Sequence, residues 1–188
     1  LFLQEAQSLG WAVWGLEPSQ AASALARQRL PAADILSCAI EEAEFPPESF
    51  DAITLWDVLE HLDSPRQALL RLNGWLRPGG LLLVNLPDAA SLPARLLGNH
   101  WVLLLREHLW YFTPQTYRLL LEKTGFEWVN GHPHWVRFSL SNILLRLAQY
   151  PGWLSTGWRQ MAQFPPLKKI AVSFPMGELT AVAVKRAA

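Results

Sequence analysis

Apolar positions follow two periods that alternate along the chain. Phe2, Leu3, Ala6 and Leu9 recur at helical spacing, and Gly10 closes that segment. Trp11–Leu16 is a short apolar strand ended by Glu17-Pro18-Ser19, and Ser19 is suited to cap a helix running to about Arg29. Asp34–Ile40 reads as the next strand and 41–49 as an acidic, Pro-containing loop. Phe50 opens a buried strand whose end turns polar at Asp57, Glu60 and His61. Ser64-Pro65 starts a helix that runs to the Pro78-Gly79-Gly80 turn, and Leu81–Leu86 is a further apolar strand. After an irregular stretch with Pro87 and Pro93, Thr113-Pro114 caps a helix to Thr124 that Gly125 stops. Phe126–Val129 and Glu178–Lys185 read as two more strands.

Strands alternating with helices call for an α/β fold with an open, mostly parallel sheet and helices on both faces. The length of 188 residues favours a single core. The formal charge is zero but unevenly spread: 1–127 carry nine Lys/Arg and fifteen Asp/Glu, and 128–188 carry seven and one. That distribution does not suit a nucleic-acid-binding protein. Cys38 is the lone cysteine, so no internal disulfide forms and a reducing, cytoplasmic setting is expected. No apolar run reaches the roughly 18 residues of a membrane span. A chain that starts at Leu1 inside a helical pattern is expected to be a fragment.

The run Phe50-Asp51-Ala52-Ile53-Thr54-Leu55-Trp56-Asp57-Val58-Leu59-Glu60-His61-Leu62, with Leu76-Arg77-Pro78-Gly79-Gly80 and Leu81–Pro87, resembles one family closely. It is similar to the fourth and fifth strands of class I, Rossmann-like methyltransferases that use S-adenosylmethionine. The resemblance implies that S-adenosyl-L-methionine is the cofactor and that the last strand is antiparallel. It also implies a first strand and glycine-rich loop upstream of Leu1. That absent strand would lie between the family's second and fourth strands, leaving both facing an unpaired line. The chain by itself is then expected to fold poorly or bind cofactor weakly.

Cofactor contacts follow from the resemblance. Glu17, beside Pro18 at a strand tip, would accept hydrogen bonds from the ribose hydroxyls, although a solvated turn glutamate is also open. Adenine would meet Ala39, Ile40 and Glu41, where the family's usual acidic side chain is missing at Ala39. Trp56 and Asp57 would lie beside the methionine moiety. His61 would lie near the transferred methyl, as a general base if the acceptor enters protonated, or as a structural histidine. Glu60 is expected to cap or pair locally. A window with Trp101, Glu107, His108, Tyr111 and Phe112 resembles the family's acceptor-side loop. Trp101, His108 and Tyr111 are the acceptor candidates, with His61 and His108 the catalytic ones. His100, His132 and His134 lack Asp or Cys at metal spacing, and no metal site is expected.

The implied organisation is a core over 1–136, an insert over 137–172, and a final strand over 173–188. Leu140, Ile143, Leu144 and Leu147 share a helical face with Arg146 off it. Tyr150, Trp153, Trp158 and Phe164 follow, with Arg159, Lys168 and Lys169, and no acid interrupts 137–170. Such a basic, aromatic lid suits an anionic, partly apolar small-molecule acceptor, lipid- or sugar-linked, or contact with a membrane surface. A dimer face or core helix fits equally, so the pattern leaves oligomeric state unread. The expected activity is methyl transfer. The rivals are a methyltransferase-like scaffold without turnover and a nicotinamide-dependent oxidoreductase, the latter disfavoured because no Tyr is followed four residues later by Lys.

Overall fold

The computed structural model describes residues 2–148 and 155–187. Among these, β1 (Trp14–Leu16) and β2 (Asp34–Leu36) form a parallel pair. A second sheet has the order β3-β4-β6-β5, built from Phe50–Trp56, Leu76–Pro87, Ala171–Lys185 and Phe126–Ser139. β3 and β4 are parallel, while β6 is antiparallel to both β4 and β5. Only β6 therefore runs against the rest, as the resemblance implies.

No ladder joins β1 to β3 among the described residues. That is the line left unpaired in the implied strand order. Side chains cross it instead. Trp14 meets Phe50 edge-on at 5.7 Å, and Phe2 of α1 (Phe2–Ser8) packs on Trp56 at 5.3 Å. Leu16 packs against the main core.

Local chemistry sets the helices. Ser19 accepts from the Ala22 amide to cap α2 (Gln20–Arg29). Ser91 accepts from the Ala94 amide to cap α4 (Leu92–Leu97), and Thr113 and Thr116 close a reciprocal capping box on α5 (Pro114–Lys123). α3 (Pro65–Trp75) buries Pro65, Ala68, Leu69, Leu72 and Trp75, an apolar stripe at helical spacing. Of these, Ala68, Leu69, Leu72 and Trp75 meet Leu82, Val84 and Leu86 of β4 and Tyr117 and Leu121 of α5 in one core. Each buried Leu or Val of that set stabilises the fold by about 1.5–3 kcal/mol. Leu76–Gly80 lies in β4 rather than in a separate turn, with the register to β3 shifting between Phe50 and Ala52.

β2 is three residues long and stops short of the expected Ile40; beyond it the Ala39 carbonyl accepts from the Glu42 and Ala43 amides and turns the chain. β5 runs ten residues past the expected Val129, and β6 starts seven before the expected Glu178. Pro133 lacks an N–H for the ladder, and the register shift between Pro133 and Trp135 absorbs it. The two strands thus continue as a long hairpin into the insert. At its far end lie α6 (Leu140–Leu147), α7 (Ser155–Ala162) and α8 (Pro165–Lys169). The Ser141 hydroxyl donates to the Ala162 carbonyl at 2.6 Å, tying α6 to α7. Tyr150 and Trp153 of the expected lid lie outside the described residues, as do the side chains of Arg146, Leu147 and Lys169. No helix among the described residues is long and apolar enough to cross a membrane.

Candidate active site

The carboxyl ends of β1, β2 and β3 lie where an open α/β sheet binds its ligands. Glu17 follows β1, half-buried, and one of its carboxylate oxygens accepts from the Ser19 amide at 2.9 Å. That bond fixes the side chain at the strand tip and leaves the second oxygen as an acceptor suited to a ribose diol. Pro18 is exposed beside it. At the adenine end the fit is poorer. The Ala39 amide already donates to Glu42 at 3.2 Å, the Ile40 side chain is buried in the main core, and Glu41 faces solvent. Trp56 ends β3 with 38% of its surface exposed, walled by Phe2 and by His134 at 6.4 Å. The residues present fit S-adenosylmethionine at its ribose and methionyl ends.

Beyond β3 the chain enters a single 3-10 turn, Leu59–His61. Four hydrogen bonds staple this segment to the loop preceding α5. The Glu60 carbonyl accepts from the amides of Leu109 (2.9 Å) and Trp110 (3.2 Å). The Trp110 indole donates to the Leu62 carbonyl at 2.9 Å, and His61 Nδ1 sits 2.9 Å from the Glu107 carbonyl. A carbonyl can only accept, so His61 carries its proton on Nδ1 when neutral and presents Nε2 outward. His61 and His108 meet with ring centroids 4.7 Å apart, and Tyr111 lies against His108 at 5.8 Å. Tyr111 accepts from the Leu105 amide, and Trp101 donates to the Met176 carbonyl, so both rings are held in place. The structure thus brings His61, His108, Tyr111 and Trp101 to one place, and adds Glu60.

Glu60 is fully buried rather than capping locally, and neither of its carboxylate oxygens has a hydrogen-bond partner. Burial raises its pKa from the ordinary 4.5 to about 7; Asp57 and Glu178 push the same way, while its own backbone amide and His61 oppose. Burial also lowers the pKa of His108, with the nearby His61 charge acting in the same direction. One ligand atom each from Glu60, His61 and His108 lies within 4.8 Å of the other two, so this trio has the composition of a metal site. Sequence spacing gave no sign of it, because the histidines come from segments far apart in the chain.

Of a second polar cluster the sequence pointed out only Asp57 as a site residue. Asn85, buried in β4, donates to Asp57 at 2.9 Å and to Glu178 at 3.1 Å. Its oxygen accepts from the Thr180 hydroxyl at 2.8 Å. Having spent its proton there, Thr180 can only accept from His134 Nδ1, 3.0 Å away. When neutral, His134 therefore carries its proton on Nδ1 and presents an Nε2 lone pair beside Trp56. Asp57 is also held at a positive φ of 51°, its amide donating to the Asn85 carbonyl at 3.1 Å. A left-handed non-glycine residue at a strand end is a feature of functional sites.

Gly177 holds this corner together. Its φ is +102°, and a Cβ there would meet Ser91 Oγ at 2.7 Å and Trp101 Nε1 at 2.9 Å. Gly177→Ala is expected to destabilise the protein by roughly 2 kcal/mol, read as a lowered thermal midpoint. An unchanged midpoint would show that the Trp101 corner yields freely.

Sheet order, reversed last strand and ligand-binding edge together define a class I, Rossmann-like methyltransferase domain. The chain belongs to the methyltransferase domain family, whose model matches residues 1–130. It is 36% identical over 76 residues to a protein of Mycolicibacterium smegmatis named as a probable S-adenosylmethionine-dependent methyltransferase. That match covers 40% of this chain and 30% of the relative, so the chain spans well under half of it. Among solved structures it is similar to the Haemonchus contortus phosphoethanolamine N-methyltransferase 2, crystallised with S-adenosyl-L-methionine. The TM-score is 0.60 at 20% identity, covering 99% of this chain and 46% of that one. It is likewise similar to the cyclase SpnF, with TM-score 0.63 at 19% identity over 100% of this chain and 70% of that one.

Proposed function

We propose that this chain carries out S-adenosylmethionine-dependent methyl transfer to a small-molecule acceptor. The observation carrying this is the stapled pair of segments. It holds His108 and Tyr111, with Trp101 packed on Tyr111, against the turn that follows β3, which supports an acceptor pocket beside the methyl donor. S-adenosylmethionine, when bound, supplies an electrophilic methyl on a sulfonium, so the protein's work is alignment and exclusion of water. Glu17 binds the ribose, Trp56 walls the methionyl end, and Trp101 and Tyr111 shape the acceptor side. His134 Nε2, oriented through Thr180 and Asn85, is placed to take a proton from an acceptor that enters protonated.

The basic insert favours an acceptor that is anionic and partly apolar, lipid- or sugar-linked. Exposed Trp135, Met161, Phe164, Ile170 and Val172 would suit a lipid tail or peripheral membrane contact. The second reading is a scaffold without turnover. Two observations favour it: the occupied Ala39 amide, and the shared fold of a protein named for cyclisation.

Calorimetric titration of S-adenosylhomocysteine tests the proposal. Micromolar binding is expected, weakened about tenfold, or about 1.4 kcal/mol, by Glu17→Ala. Well-folded protein that binds nothing would leave the scaffold reading.

A further inference from the structure

We infer that Glu60, His61 and His108 form a binding site for a divalent first-row transition-metal ion, open toward the acceptor. The first ground is geometric. A ligand atom of each lies within 4.8 Å of the others. Ligands about 2.1 Å from a shared ion stand at most about 4.2 Å apart, so closure needs less than about 1 Å of side-chain movement.

The second ground is independent of spacing. Both Glu60 carboxylate oxygens and His108 Nδ1 are buried without a hydrogen-bond partner. Native proteins rarely leave such groups orphaned, and an ion is one of the few things that would satisfy all three at once. The other ring already has the support that metal-binding histidines use. His61 Nδ1 is fixed on the Glu107 carbonyl at 2.9 Å, which turns Nε2 into the ligand.

Ligand chemistry selects the ion. Two imidazoles and one carboxylate suit zinc, manganese or ferrous iron, whereas magnesium and calcium prefer all-oxygen shells. The carboxylates of Asp57 and Glu178 act electrostatically on Glu60 and add negative potential for a cation. Burial grades from Glu60, fully buried, through half-buried His108 to exposed His61. Three protein ligands with one open side leave positions for water or an acceptor oxygen. On the methyl-transfer proposal, on which this last step rests, the acceptor class is one presenting a hydroxyl or carboxylate oxygen to the ion.

Cobalt(II) titrated into the full, chelator-treated chain tests the site through its visible ligand-field absorption, with S-adenosylhomocysteine binding measured on the same wild-type sample. One saturable site is expected, with affinity at least about tenfold weaker in both Glu60→Gln and His108→Ala. Circular dichroism of each variant separates lost ligation from lost folding, and the isosteric Gln keeps the test usable if the Ala variant unfolds. No absorption band, or equal affinity in folded variants, overturns the site. Cobalt binding without S-adenosylhomocysteine binding would sustain the metal site and remove the methyl-transfer reading of it.

Discussion

Asn85→Ala is expected to lower stability by about 3 kcal/mol, a fall of about 6–12 °C in the thermal midpoint for a chain of this size. Asn85 lies in β4, paired with Trp56 of β3 on one side and Thr180 of β6 on the other. Its two amide protons are the donors shared by Asp57 and Glu178, and its oxygen receives the Thr180 hydroxyl. Removing the amide leaves two carboxylates facing each other without that shared donor and a buried hydroxyl without its acceptor. Hydrogen bonds to charged groups contribute about 1.5–3 kcal/mol each, and water reaching exposed Asp57 offsets part of the loss. Asn85→Asp is expected to be worse at neutral pH, since it adds a third carboxylate, and to recover at lower pH as the introduced carboxylate is protonated. Thermal melts at pH 5 and pH 7.5 check both. Equal midpoints for wild type and Asn85→Ala would mean that Asp57 and Glu178 find other donors at no cost.

Glu60→Gln is expected to act in the opposite direction. The Glu60 pKa rises from the ordinary 4.5 to about 7, chiefly through burial. Below about pH 4.5 folded and unfolded chains both hold the proton, and the site carries no penalty. As pH rises toward 7 the unfolded chain releases that proton freely while the folded one resists, so stability falls across this window. The full shift corresponds to about 3 kcal/mol. Metal-free Glu60→Gln should therefore melt about 6–12 °C above metal-free wild type at pH 8, and together with it at pH 4.5. A constant difference at both pH values would show that the carboxyl is not the cause. Residues that cost stability in the empty protein are characteristic of binding sites, where ligand rather than packing supplies the compensation.

Much of the fold was legible because local signals carry it. Ser19, the Thr113-Pro114 start and the Gly125 stop mark helix ends in the positions observed. The apolar runs at Phe50 and Leu81 announce strands; the run at Leu81 is buried because β4 is paired on both sides, whereas β3 lies at the sheet edge and buries only Leu55. The extents of β5 and β6 were not legible. The apolar pattern marks a strand only over Phe126–Val129, and it is the facing strand, with a register shift at Pro133, that makes His132-Pro133-His134 part of a ladder.

The candidate site divides in the same way. His61, His108, Trp101 and Tyr111 stand out from motif alone, and Glu17 from its place at a strand tip. Glu60 was misjudged because nothing local says whether a carboxylate after a strand points to solvent or inward; the loop folded over it decides that. His134 was passed over because its significance depends on Thr180, and that of Thr180 on Asn85, 95 residues away.

The sequence by itself determined the kinds and order of elements, their caps and the family, since these depend on period, turn chemistry and residue type within short windows. The tertiary structure alone decided which polar groups share a site. Strand order and register bring Asn85 opposite Thr180, and the stapled loop brings His108 to His61. Such proximities arise from non-local pairing, which no window of neighbouring residues encodes.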